Sequence, residues 1–272
     1  MRPPISKDTQ LCMSLSGRPG NFGTRFHNHL YDALGLDYLY KAFTTTDLQA
    51  AIGGVRALGI RGCAVSMPFK EDVIPMMDEM DPSAAVIESV NTIVNDDGRL
   101  SAYNTDFIAV AKLLEQHEVP TGATVALRGS GGMAKAVAFA LREGGYRSGT
   151  VVARNEETGR ALADGAGFAW AADLGDARAD VLINATPVGM AGGPEADDLP
   201  FAAETVDAAS YVFDVVALPP ETPMIRRARE RGIHVITGAE VVALQAVEQF
   251  VLYTGQRPTD EQVAAAAEHA NG

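Results

Sequence analysis

The segment from Thr124 to Asn155 constrains this chain more than any other. An apolar run, Val125-Ala126-Leu127, leads through Arg128 into Gly129-Ser130-Gly131-Gly132-Met133-Ala134. A helical pattern over 133–143 follows, then a second strand-like run over 150–153. Strand, glycine-rich turn, helix and strand together predict a βαβ unit. Glycines let the backbone turn sharply and approach a pyrophosphate, while the helix N-terminus presents free N–H groups and the positive end of its dipole. Gly129, Ser130, Gly131, Gly132 and Met133 are therefore candidate phosphate-binding residues. The spacing is G-x-G-G instead of G-x-G-x-x-G, so the flanking strand and helix carry more of this reading than the glycines do.

The second strand ends Val152-Ala153-Arg154-Asn155, with no carboxylate before Glu156. A dinucleotide site for NAD usually places Asp or Glu here for the ribose 2′-hydroxyl, whereas a site for NADP accommodates the 2′-phosphate with Arg. Arg154 can pair with that phosphate through charge-assisted hydrogen bonds. NADP is the expected cofactor, with NAD less favoured.

Strand-like and helix-like segments alternate along the rest of the chain, which predicts an α/β fold. Strands are expected over 11–15, 38–44, 60–66 and 89–94, with helices over 24–34 and 46–58, the second capped by Thr46 or Asp47. Asp96-Asp97-Gly98 predicts a tight turn and one antiparallel hairpin. Helix 105–117 precedes a second series, with strands over 124–127, 150–153, 180–184, 211–215 and 233–236. Helices over 239–253 and 259–269 close the chain. The expected architecture is an N-terminal α/β domain, 1–105, joined by the C-terminal helices 238–272, plus a doubly wound Rossmann-type domain over 106–237.

The net charge of −13 argues against nucleic acid or an anionic membrane as the main partner, since either calls for a basic surface. Apolar and charged shares of 47% and 21% suit a globular protein. No apolar run reaches the roughly 20 residues that span a bilayer, and the N-terminus lacks a signal-peptide pattern; a cytoplasmic enzyme is expected. Cys12 and Cys63 lie in apolar runs without metal-ligand spacing and are expected to be buried thiols. His27 and His29, two apart, do not form an i, i+4 metal pair, and no metal site is expected. Trp170 and the methionines are assigned to packing, and the acidic run 195–198 to an exposed loop.

Further strings occur in a fixed order: Ser66-Met67-Pro68-Phe69-Lys70, Asn91-Thr92, Asn104-Thr105-Asp106, Asn184-Ala185-Thr186-Pro187-Val188-Gly189-Met190, and Gln245. Over nearly its whole length the chain resembles the shikimate dehydrogenases. Given Gly17-Arg18-Pro19-Gly20-Asn21-Phe22-Gly23-Thr24, it is most similar to their divergent, shikimate dehydrogenase-like branch. The resemblance implies a substrate domain, an NADP domain and a cleft between them. It implies Lys70 and Asp106 as the catalytic pair, and Ser66, Asn91 and Gln245 as partners of substrate hydroxyls. It adds Asn155, Thr186, Val215 and Gly238 to the cofactor site. The substrate implied is a cyclic hydroxy acid: shikimate and 3-dehydroshikimate first, quinate or a relative second. A non-catalytic NADP-binding sensor is the reading from a different class, and retention of both Lys70 and Asp106 speaks against it.

Oxidising a secondary alcohol sends a hydride to the nicotinamide and a proton elsewhere, so a positioned acid–base group is required. Lysine side chains are ordinarily protonated at neutral pH, which makes ketone reduction the easier direction for such a pair. The departures from the family pattern fall around the substrate. The S-x-S pair that binds carboxylate is replaced in the region of Asn21, Gly23 and Thr24, and Asn21 and Thr24 are the candidates to replace its hydroxyls. Ala64 stands for the usual Asn, Ser66 for Thr, and Ala217 for a substrate-facing Tyr. Thr158 stands where a second basic residue often follows Arg154.

Overall fold

The computed structural model describes residues 2–175 and 177–271. The chain divides into two compact units, Met1–Thr105 with Ala243–Gly272, and Asp106–Val242.

The first unit begins with β1 (Gln10–Leu15), α1 (Phe22–Leu34), β2 (Tyr38–Phe43), α2 (Leu48–Ala57) and β3 (Gly62–Val65). β4 (Glu79–Met80), α3 (Pro82–Ala85), β5 (Thr92–Asp96) and β6 (Arg99–Tyr103) follow. The strands form one sheet in the order β2-β1-β3-β5-β6-β4. β1 pairs in parallel with β2 and β3, whereas β5 runs antiparallel to both β3 and β6. The expected hairpin is present: Asp97 and Gly98 both have positive φ, 51° and 90°, as a two-residue turn matched to strand twist requires. The strand expected at Ser89 begins instead at Thr92, although the Asn91 backbone still accepts from the Val65 N–H and donates to the Tyr103 carbonyl. The short β4 and α3 were not foreseen; two and four residues carry no periodicity to read.

Helix α1 buries Phe26, His27, Leu30 and Tyr31 on one stripe and ends at Gly35, whose φ of 66° suits a glycine terminator. Asp47 caps α2 by accepting from the Ala50 N–H, which settles the choice between Thr46 and Asp47. On one side of the sheet Met13, Leu15, Ile52, Val55 and Ile93 pack together. On the other, α1 packs with the C-terminal helices through Phe26, Leu30, Tyr31, Phe250 and Tyr253.

The second unit takes α4 (Thr105–Gln116), β7 (Val125–Arg128), α5 (Gly132–Glu143), β8 (Gly149–Val152), α6 (Glu156–Ala166) and β9 (Ala169–Ala171). It continues through β10 (Val181–Asn184), α7 (Ala203–Asp207), β11 (Tyr211–Asp214), α8 (Pro223–Glu230) and β12 (His234–Ile236). The chain ends with α9 (Gly238–Thr254) and α10 (Asp260–Asn271). The strand order is β12-β11-β10-β7-β8-β9, and every pairing is parallel. Counted from β7, this is the 3-2-1-4-5-6 order of the Rossmann fold. β10 is buried at all four residues, as a central parallel strand covered on both faces should be. The edge strand β9 was not expected; Trp170 on it donates its indole N–H to the Ala153 carbonyl and packs on Gly159, a packing role as anticipated. Among the described residues no helix is long and apolar enough to cross a membrane.

Candidate dinucleotide and substrate sites

In a doubly wound sheet the ligand crevice opens where strand order reverses, outside the carboxyl ends of the strands. Here that point lies between β7 and β10, so the turn after each strand meets the other. Gly129, after β7, has φ +123°, and a Cβ there would lie 3.0 Å from the Ala185 carbonyl oxygen that follows β10. Glycine is required at 129 by this close approach of backbones as well as by its φ. Gly131 and Gly132 differ: a Cβ on either would meet nothing within 4 Å. They leave open space over the start of α5, where Gly131 is the N-cap and the first N–H groups lack helical acceptors. That space, at a helix N-terminus on the switch point, fits a dinucleotide phosphate.

A cleft of about 250 Å³ adjoins the turn, lined by Arg128, Ser130, Ala153, Arg154, Asn155 and Thr186 among others. Several of its polar side chains are engaged with the protein. Asn155 caps α6 by accepting from the Thr158 N–H. The hydroxyls of Ser130 and Thr158 share a hydrogen bond of 2.8 Å. Thr186 donates its hydroxyl to Asn184 Oδ1 at 2.6 Å. Arg154, in contrast, keeps 80% of its side chain exposed, with Nη1 3.7 Å from Glu195 Oε1. The run 195–198 is thus more than an exposed loop, since Glu195 approaches one of the two arginines that line the cleft. Arg128 was missed in the sequence, although its place immediately before the glycine turn puts it at the carboxyl end of β7.

Below the cleft, Asp214 is fully buried and accepts from Asn184 Nδ2, the Val216 N–H and the Thr222 hydroxyl. Burial pushes its carboxyl pKa up to about 6, and these three donors oppose the rise. The cluster fixes the turns after β10 and β11 to each other, and with them Val215, whose N–H donates to the Asn184 carbonyl. Gly238 begins α9, and a Cβ there would lie 2.3 Å from the carbonyl carbon and oxygen of Val216. That backbone contact by itself requires glycine at 238.

In the first unit, the turns after β1 and β3 and the entry to β5 lie side by side. The Gly17 N–H donates to the Met67 carbonyl, Val65 N–H to Asn91, and Val90 N–H to Lys70. These bonds gather Ser66, Lys70 and Asn91 into one region. Ser66 is exposed, Lys70 half-buried and Asn91 buried. The Asn91 side-chain oxygen accepts from the Thr92 hydroxyl and from the Thr105 N–H, both at 2.8 Å. Asp106, buried, is the second residue of α4. Gln249 donates to the Thr92 hydroxyl at 3.1 Å, and Gln245 lies one turn earlier on the same face of α9. Gln249 was not singled out in the sequence; its i+4 relation to Gln245 was the available signal. Asn21 is the exposed N-cap of α1 without a side-chain cap bond, and Thr24 is in its first turn. Gly23 lies against Tyr40, a Cβ there coming 3.4 Å from the phenol oxygen. Both cysteines are buried free thiols, and burial raises each to about 12. Among the described residues no His, Cys, Asp or Glu group could hold a metal.

The parallel sheet, its strand order and the glycine turn at the switch point define a Rossmann-type unit, and the chain carries a second α/β unit as well. The model of the shikimate dehydrogenase substrate binding domain matches residues 22–93. A shikimate dehydrogenase-like protein of Haemophilus influenzae is 59% identical over 266 residues, which cover 98% of each chain. A solved shikimate 5-dehydrogenase-like protein superposes with a TM-score of 0.97 at 59% identity, covering 99% of this chain and all of the other. The shikimate 5-dehydrogenase of Thermus thermophilus, solved with NADP(H) and shikimate, superposes with a TM-score of 0.85 at 32% identity, covering 96% of this chain and 99% of that one. This chain belongs to the shikimate dehydrogenase family of oxidoreductases.

Proposed function

We propose that this protein is an NADP-dependent dehydrogenase that interconverts shikimate and 3-dehydroshikimate, working in the cytoplasm. The observation that carries the substrate reading is the gathering of Ser66, Lys70 and Asn91 by backbone hydrogen bonds at one edge of the first sheet. Family membership and the similarity to a protein solved with shikimate support it. Arg154 at the end of the second Rossmann strand supports NADP over NAD.

The nicotinamide, when bound, gives or takes the hydride. The chain's own residues handle position and proton. Gly129, Ser130, Gly131, Gly132 and Met133 hold the pyrophosphate at the start of α5, and Arg154 with Asn155 takes the adenosine 2′-phosphate. Thr186, Val215 and Gly238 form the wall toward the nicotinamide. Ser66, Asn91 and Gln245 hydrogen-bond substrate hydroxyls, while Asn21 and Thr24 take over carboxylate recognition from the missing S-x-S pair. In ketone reduction the Lys70 ammonium gives its proton to the oxygen of the forming alcohol, and Asp106 orients that ammonium.

The test follows NADPH absorbance with 3-dehydroshikimate, then NADP or NAD reduction with shikimate and with quinate. Turnover of 3-dehydroshikimate with NADPH is expected. Turnover only on quinate would move the substrate within the same chemistry. Tight NADPH binding with no turnover on the whole panel would overturn the catalytic reading.

A further inference from the structure

We infer that Glu195 is a specificity-determining residue of the dinucleotide site, one that weakens NADP relative to NAD. The inference rests on the proposed role of Arg154 at the adenosine ribose. Of the carboxylates next to Arg154 in sequence, Glu156 is paired with Arg160, at 2.8 Å. Glu195 comes from the loop after β10, on the far side of the switch point, and stands 3.7 Å from the Arg154 guanidinium.

The position of Glu195 is held by its loop. Its carbonyl accepts from the Gly189 N–H at 2.8 Å, and the Ala191 N–H donates to Leu218 at 2.9 Å. Gly189 has φ +85°, and a Cβ there would approach Pro223 and Thr222 at 3.3 and 3.4 Å, so this bend of the loop is packed against the start of α8. The Glu195 side chain is 37% exposed against 80% for Arg154, making the carboxylate the more fixed partner of the two.

A 2′-phosphate is largely dianionic near neutral pH. To meet Arg154 it must draw the guanidinium from Glu195 and then sit close to a carboxylate of like charge. Thr158, whose hydroxyl is bonded to Ser130, supplies no cation beside Arg154, and the other guanidinium lining the cleft, Arg128, stands at the end of β7. The 2′-hydroxyl of NAD meets no such penalty and can donate to a carboxylate. Glu195 therefore opposes NADP while Arg154 favours it, and the balance between them sets the preference.

The experiment titrates NADPH and NADH fluorescence with the full chain, parent and Glu195→Gln. The ratio of the NADH Kd to the NADPH Kd is expected to rise about threefold or more in Glu195→Gln, and the rise should shrink at high salt. A ratio that stays the same or falls would overturn the inference. Failure of the parent to bind either dinucleotide would instead defeat the site reading on which it rests. An Arg154→Gln/Glu195→Gln pair completes the cycle: if Glu195 acts through Arg154, its effect on the ratio is smaller in the Arg154→Gln background, and an undiminished effect would contradict that coupling.

Discussion

The side-chain oxygen of Asn91 accepts a hydrogen bond from the Thr105 N–H at 2.8 Å and lies 3.2 Å from the Thr105 hydroxyl. A residue expected only to touch substrate thus also caps the start of α4, one residue before Asp106. Both partners are buried, so the loss of the acceptor leaves polar groups without water to replace it. Asn91→Ala is expected to lower stability by about 2–3 kcal/mol, seen as a lower urea midpoint at unchanged slope. A change under about 0.5 kcal/mol would mean the cap is dispensable.

Lys70 and the residues around the glycine turn belong to different units of the chain. Proton transfer and dinucleotide binding should therefore separate experimentally. Lys70→Ala is expected to lower kcat by about 10²–10⁴-fold while the NADPH Kd stays within about twofold of the parent's. Lys70→Arg should not restore turnover, because a guanidinium gives up its proton far less readily than an ammonium. A Lys70→Ala protein with parental kcat would remove Lys70 from the chemistry.

Two glycines assigned to one cofactor site from the sequence have opposite explanations in the structure. Gly131→Ala adds a methyl to open space at a φ of −83°, so stability should change by less than about 1 kcal/mol while NADPH binding weakens. Gly238→Ala drives a Cβ into the Val216 carbonyl and should cost about 3 kcal/mol or more. Thermal melts with and without NADPH distinguish the two. Equal destabilisation by both substitutions would contradict this division.

The Rossmann unit was legible because each of its parts is local: an apolar strand, a glycine turn, a helix, and Arg154 at the next strand end. Short pieces escaped for the same reason; β9 has three residues and takes its place by pairing with β8, not by its own pattern. Asn91 appeared as part of a strand because Ser89 to Val94 alternates suitably, yet its side chain is used as an acceptor that no local rule announces. Glu195 was assigned to solvent because an acidic run beside glycines resembles a loop. Its approach to Arg154, across 41 positions, is created by the reversal of strand order between β7 and β10. Gln249 and Arg128 were within reach of the sequence, the one by helical spacing from Gln245 and the other by its place at a strand end.

His27 is wholly buried, its ring stacked 4.4 Å from Tyr40 and also facing Tyr31, Phe250 and Tyr253. Burial holds its pKa down to about 3, and the Gln249 side chain acts the other way. The tyrosine hydroxyls around it are raised by burial and stay neutral. Between about pH 6.5 and pH 3 the unfolded chain binds a proton at this residue that the folded chain does not. Its contribution is complete above pH 6.5 and falls by about 1.4 kcal/mol per unit as pH drops. Asp214, raised to about 6, acts with the opposite sign between its unfolded value and pH 6. The comparison of parent with His27→Phe isolates the histidine. Relative to the parent, the variant should gain about 2–3 kcal/mol between pH 6.5 and 4.5 in urea denaturation, and parallel pH profiles would show that His27 does not titrate this way.

The hydroxyls of Ser130 and Thr158 share a hydrogen bond of 2.8 Å next to the site proposed for the 2′-phosphate. Thr158 is exposed in the first turn of α6, four residues after Arg154, so a longer side chain there projects into solvent beside the cleft. Thr158→Arg gives up one exposed hydroxyl bond, worth little, and adds a cation able to share the phosphate with Arg154. The NADPH Kd is expected to fall by about three- to tenfold, with the NADH Kd nearly unchanged. NADPH binding should also become steeper in its salt dependence. Because the new guanidinium would answer the like charge of Glu195, the gain should be smaller in a Glu195→Gln background than in the parent. Fluorescence titrations of the four proteins at two salt concentrations measure each of these. A uniform tightening of NADH and NADPH would show that the added arginine contacts the adenine or pyrophosphate instead, and that the 2′-phosphate lies elsewhere.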